Sequence, residues 1–226
     1  MKSLAIFGAV ALVASSASAA FTGFSVDRAV TAEGNTQYKV YANWDQSNAV
    51  MLNAFNFVQI SGNLFARHQD AGEDADGNPL GSWSANVNIL GTAARNNDSW
   101  VTVSGSGTSG GNDTSLDPSF SYPAGSFDRS FIPNNAGWFD ATPGSPNAVL
   151  AGGTQGGYRM LLVQIVRSGS GSDPIATFGM TVGWKLANTT TALFAGTGQV
   201  ITIGVPAPGA LALLGLAGLT ARRRRG

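Results

Sequence analysis

Between residues 176 and 184 apolar and small polar positions alternate without a break. Ala176, Phe178, Met180, Val182 and Trp184 fall on one side of an extended chain, and Thr177, Gly179, Thr181 and Gly183 on the other. Successive side chains of a strand point to opposite faces, so this spacing predicts a strand with one dry face and one wet face. The segment from Gln37 to Trp44 repeats the pattern, with Tyr38, Val40, Ala42 and Trp44 on the apolar side. A last strand is predicted where Gln199, Ile201 and Ile203 alternate with Val200 and Thr202. Residues 158–167 are apolar on both faces, as expected of a central strand covered on both sides. Shorter strands are expected at 23–30, 50–60, 63–67, 85–90 and 99–104. Residues 50–58 also admit a helical reading, opposed by Asn53, Asn56 and two phenylalanines. Residues 105–112 and 133–157 are expected to be long exposed loops. Nine or ten short strands between Gly, Asn, Asp, Ser and Pro turns predict the all-β class. The architecture expected is an antiparallel β-sandwich, with a jelly-roll-like form suggested and a short hydrophobic helix at the C-terminus.

Both ends of the chain break this pattern. Lys2, the apolar run from Leu4 to Val13 and the small residues Ala17-Ser18-Ala19 have the three-part layout of a secretory signal peptide. Its removal would leave Ala20 or Phe21 first. At the other end Val205-Pro206-Ala207-Pro208-Gly209 precedes an Ala/Leu/Gly stretch from Ala210 to Ala221, followed by Arg222, Arg223, Arg224 and Arg225. As a helix that stretch would reach only about 18 Å at 1.5 Å per residue, short of the roughly 30 Å hydrocarbon core. The arginines would hold its far end on the cytoplasmic side. The expected division is therefore a signal peptide at 1–19, a β-sandwich at 20–204 and a sorting tail with a short transmembrane segment at 205–226.

The Pro-containing motif, the short greasy segment and the arginine cluster together resemble the PEP-CTERM sorting signal. The resemblance covers about a tenth of the chain. It implies export to the cell surface or an exopolysaccharide matrix, transient or permanent membrane attachment, and an exosortase-type membrane transpeptidase as processing partner. The chain departs from the family pattern at Ala207, where the family has Glu. Without that charge an uncut anchor is the alternative to a cleaved tail.

Composition narrows the partners. The chain is formally neutral, yet residues 21–204 hold eight Lys/Arg and thirteen Asp/Glu, a net charge of minus five. A nucleic-acid partner, which needs a basic footprint, is not expected. Metal ions or neutral polysaccharide suit such a surface better. The absence of cysteine excludes disulfides, thiolate metal sites and Cys nucleophiles.

Candidate chemistry is sparse. The densest carboxylate run is Asp70, Glu73, Asp74 and Asp76, followed by Asn78, in a Gly-containing segment that could offer calcium several hard oxygens. Its spacing does not match an EF-hand, since Gly77 comes too early and no bidentate Glu closes it. A solvated acidic turn is the competing account, and no cofactor is required. The Gly105–Gly110 run matches G-x-G-x-x-G but leads into no apolar helical period, which reads as a flexible loop. His68 is the only histidine, and no nucleophile-elbow sequence accompanies it. Among the five tryptophans, Trp44 and Trp184 lie on dry strand faces. Trp138, in the turn-rich Asn135–Asp140 segment, is the candidate exposed platform for a sugar ring, with plugging of the sandwich end as its competitor. No catalytic set is assembled. The function expected is a non-catalytic structural or adhesive role at the surface or in the matrix. A carbohydrate-binding module, calcium-assisted or not, is the alternative, and a polysaccharide hydrolase a more distant one.

Overall fold

The structure is a computed structural model that describes residues 19–62, 64, 83, 97–103, 114–120, 132–140, 150–151, 158–167, 173–187 and 189–205. The strand expected at 85–90 and the expected C-terminal helix lie outside these residues, as does the strand expected at 63–67 apart from Leu64, which is buried. Among the described residues no helix is long and apolar enough to cross a membrane.

Eleven strands are described, and all their pairings are antiparallel. The alternating and apolar segments read from the sequence supply the long ones: β1 (Phe21–Val30), β2 (Thr36–Trp44), β3 (Ala49–Ser61), β8 (Tyr158–Arg167) and β9 (Ala176–Leu186). The helical reading of residues 50–58 does not hold, because that segment is the middle of β3. The short strands are β4 (Trp100–Val101), β5 (Thr114–Leu116), β6 (Trp138–Asp140), β7 (Leu150–Ala151), β10 (Ala192–Ala195) and β11 (Ile201–Ile203). Residues 133–157, expected as one exposed loop, thus contain two strands.

The strands form two sheets. The first has the order β1-β2-β8-β4, with β7 also on β8, and the second β10-β9-β3-β6-β5, with β11 also on β9. Their dry faces meet in one continuous core. Tyr38, Val40, Ala42, Trp44, Met160, Leu162, Val163 and Ile165 come from the first sheet, and Met51, Ala54, Phe57, Phe178, Met180, Val182 and Trp184 from the second. Sheets pack this way because each has one face that must leave water. Trp44 and Trp184 meet across the gap edge to face, with ring centroids 6.1 Å apart, and Phe21 lies 6.0 Å from each. A bulge in β8 carries Leu162 past the step between Val40 and Tyr41, so that Leu162 and Val163 both enter the core. The preceding Leu161 packs with Trp100 on the other face of the sheet.

Two of the connections between the long strands cross from one sheet to the other. Trp44 to Ala49 crosses at the end where β8 begins, and Arg167 to Ala176 crosses at the end where β8 finishes. The two crossings therefore lie at opposite ends of the sandwich.

The second crossing is held by a dense polar corner. Arg167 Nη1 donates to Asp173 Oδ1 at 3.1 Å and to the Pro174 carbonyl at 2.6 Å. The Tyr38 hydroxyl donates to Asp173 Oδ2, which also accepts from Arg28 Nε at 3.4 Å. Val205 N–H donates to the Asp173 carbonyl at 2.9 Å, so the chain leaves the sandwich from this corner. Two glycines with positive φ close on the same segment, Gly62 (φ 70) and Gly204 (φ 93). A Cβ on Gly62 would overlap the Ile175 carbonyl, and one on Gly204 the Pro174 carbonyl, so both positions require glycine sterically and conformationally.

Because the Arg167 and Asp173 side chains are almost wholly buried, Asp173→Asn takes away the negative charge on which Arg28, Tyr38 and Arg167 converge and is expected to cost about 3 kcal/mol in urea unfolding. Burial first, and then donation to Asp173, push the Tyr38 hydroxyl above its ordinary pKa. A raised folded-state value means stability present below pH ~10 and lost as pH rises through the folded pKa. Wild type should therefore lose stability more steeply than Tyr38→Phe above pH ~10, measured by thermal melts across that range.

Candidate functional site: the outer face of the second sheet

With the dry faces turned inward, two outer faces remain, and they differ in chemistry. On the first sheet the register places Ser25 beside Tyr41 and Asp27 beside Lys39, and Lys39 beside Gln164. Arg159 reaches across this face, stacking 3.9 Å above the Tyr41 ring and pairing with Asp27 at 2.9 Å. Burial pushes the Tyr41 hydroxyl above its ordinary pKa, against the opposing pull of Arg159. This face is polar, and its charges are matched.

The outer face of the second sheet is almost free of charge. Strands β3, β9, β10 and β11 together carry one ionisable residue, Lys185, and β5 and β6 add only Asp140. Its exposed large side chains are Phe194 (59%), Phe139 (42%), Val58, Ile60 and Val200. For Phe194, Phe139 and Val58 the register gives the reason: Phe194 pairs with Gly183, Asn53 with both Gly183 and Phe139, and Val58 with Gly179. Phe55 stands edge to face with Phe194, centroids 5.8 Å apart.

Between the rings the floor is flat, because β9 supplies Gly179 and Gly183 there. A Cβ on Gly183 would overlap Asn53 Oδ1 and come 3.0 Å from the Phe194 ring, so the missing side chain is what lets Asn53 and Phe194 lie down on the sheet. Hydroxyls border the floor, with Thr181 and Thr197 2.9 Å apart and Ser61 and Thr177 2.6 Å apart. A left-handed residue, Asn56 (φ 52), sits in the bulge between Phe55 and Val58 and keeps both of them on this face. The arrangement can offer ring edges, methyls and hydroxyls to a flat, neutral partner.

The residues singled out from the sequence lie elsewhere. Trp138 is 1% exposed, packs edge to face on Phe120 and donates its indole N–H to the Thr102 carbonyl at 3.0 Å. Its expected role as an exposed platform is overturned. Trp138 is the inward member of β6, and its neighbour Phe139 is the outward one. Sequence reasoning missed Phe139 because the turn residues Asn135 to Gly137 concealed a three-residue strand whose parity assigns the two aromatics to opposite faces. Asp70, Glu73, Asp74, Asp76 and Asn78 lie outside the described residues, as do His68, the Gly105–Gly110 run, and the tail from Pro206, Ala207, Pro208 and Gly209 to Arg222–Arg225. Among the described residues no group of three or more His, Asp or Glu could hold a metal ion. Val205, the first residue of the tail, is exposed at the Asp173 corner.

No protein-family model, no curated protein and no solved structure matches the chain.

Removing the Trp138 indole would empty a buried site and take its N–H donor from the Thr102 carbonyl. Trp138→Ala is expected to destabilise the domain by about 3–5 kcal/mol, read from denaturant midpoints, which marks this residue as structural.

Proposed function

We propose that the chain is an exported protein of the cell surface or matrix with a non-catalytic, adhesive role, and that the outer face of its second sheet rests against neutral exopolysaccharide. The observation that carries this reading is the chemistry of that face. Contiguous exposed apolar surface is uncommon on monomeric proteins unless something binds there. Here it coincides with a sheet whose strands carry only Lys185 and Asp140 as ionisable residues, in a segment 21–204 whose net charge is minus five. Phenyl rings accept the apolar faces of sugar rings, and the threonine and serine hydroxyls along the floor match sugar hydroxyls. Neutral polymer suits the face better than an acidic one, which the rest of the surface would repel.

Delivery follows from the two termini as read from the sequence. A signal peptide would start export, and the Pro motif, short apolar segment and arginines would hold the chain at the membrane for an exosortase-type enzyme. The corner from which Val205 departs is braced by Asp173, Arg167, Arg28 and Tyr38. A surface-held domain needs such bracing where its attachment enters the fold.

Retention of the protein on immobilised neutral polysaccharides tests the reading, with calcium and with chelator. The double variant Phe139→Ala/Phe194→Ala, which touches only exposed rings, is expected to lose at least about tenfold in retention with an unchanged melting temperature. Undiminished retention would remove this face from the contact. Loss in chelator alone would move the site to the acidic run at 70–78. Release of soluble sugar would replace adhesion with hydrolysis.

A further inference from the structure

The sequence offers two bonds for removal of the signal peptide, the one before Ala20 and the one before Phe21, and the fold distinguishes them. The nitrogen of Ala20 lies 2.7 Å from Asp45 Oδ1. In return Asp45 N–H donates to the Ala20 carbonyl at 3.2 Å. This reciprocal clamp extends the β1–β2 ladder one step beyond the Phe21–Trp44 pair. Ala20 and Asp45 are both exposed, whereas Phe21 is half-buried against Phe24, Trp44 and Trp184.

We propose that the chain is cut between Ala19 and Ala20, and that the α-ammonium group so created is captured by the Asp45 carboxylate as the first contact of the mature domain. The proposal rests on the reading of residues 1–19 as an export signal. Hydrolysis of the Ala19–Ala20 peptide bond places a carboxylate on the released segment and an amine, protonated at neutral pH, on Ala20. That nitrogen already donates to Asp45 as a peptide N–H, so the new charge arrives beside an opposite one and strengthens an existing hydrogen bond. Cutting one residue later would remove both partners of Asp45. It would also set the new charge on Phe21, which is half-buried where Ala20 is exposed, and an ion is less well solvated there. Cutting before Ala20 does take away Ala19, which is buried. The side chain lost with it is a single methyl group.

The full chain, expressed in a bacterium that exports it, tests this by sequencing the N-terminus of the exported protein. Ala20 as first residue is expected. Phe21 or any other processed terminus overturns the cleavage site while leaving export intact, and Met1 overturns both. Capture is tested separately by the rate at which an amine-reactive ester acylates the terminal nitrogen near neutral pH, mapped by mass spectrometry. The folded protein is expected to react several-fold more slowly than the same protein in urea. Asp45→Asn is expected to recover most of that difference, with the rates at Lys39 and Lys185 unchanged. Equal rates in folded and unfolded wild type, or in wild type and variant, overturn the capture.

Discussion

Two sheets can persist here only because each turns one face away from water onto the other, and four strands carry that contact. β2 and β8 in the first sheet, and β3 and β9 in the second, contribute the inward side chains that meet in one continuous core. Everything else is hung on them. β1 completes the ladder on β2, β10 and β11 share one edge of β9, and β6 brings Trp138 against the far side of the same core. A chain without cysteine has no covalent staple to fall back on, so hydrophobic burial and ladder hydrogen bonds must hold the fold together.

The polar corner at Asp173 and the aromatic end at Trp44 and Trp184 divide the labour of closing the sandwich. At the aromatic end, where Trp44 leads into β3, closure is by packing of rings. At the other end the connection into β9 is too tight for side chains of any size at Gly62 and Gly204, and the Asp173 carboxylate with its three donors, Arg28, Tyr38 and Arg167, closes the corner instead. The start of β1 lies at the aromatic end and the exit at Val205 at the polar corner, so the two termini of the described domain leave from opposite ends. Tension applied through the exit would meet the corner before it reached the core.

The same packing that buries one face of the second sheet exposes the other, and its composition is unusual for a wet face. Gly179 and Gly183 keep the floor low, while Phe55, Phe139 and Phe194 supply rings around it. The alternation in 176–184 disclosed the glycines and threonines of that face, but not the phenylalanines that accompany them. Those come from β3, β6 and β10, and sequence spacing gives no sign that they converge. Trp138, expected to be exposed, faces the core, and the exposed ring is that of its neighbour Phe139, because one residue along a strand means the opposite face.

What the sequence determined by itself are the long strands and their inward sides, since a period of two is a local property that burial merely fulfils. Tyr38 to Trp44 and Ala176 to Trp184 are clear examples, as is the two-sided apolar run at 158–167. Tertiary structure alone decided the winding of the sandwich, the parity of a three-residue strand such as β6, and the meeting of Arg28, Tyr38 and Arg167 at Asp173. The reason is physical distance along the chain. Tyr38 and Asp173 are 135 residues apart, and only the closing of the core brings them to one corner.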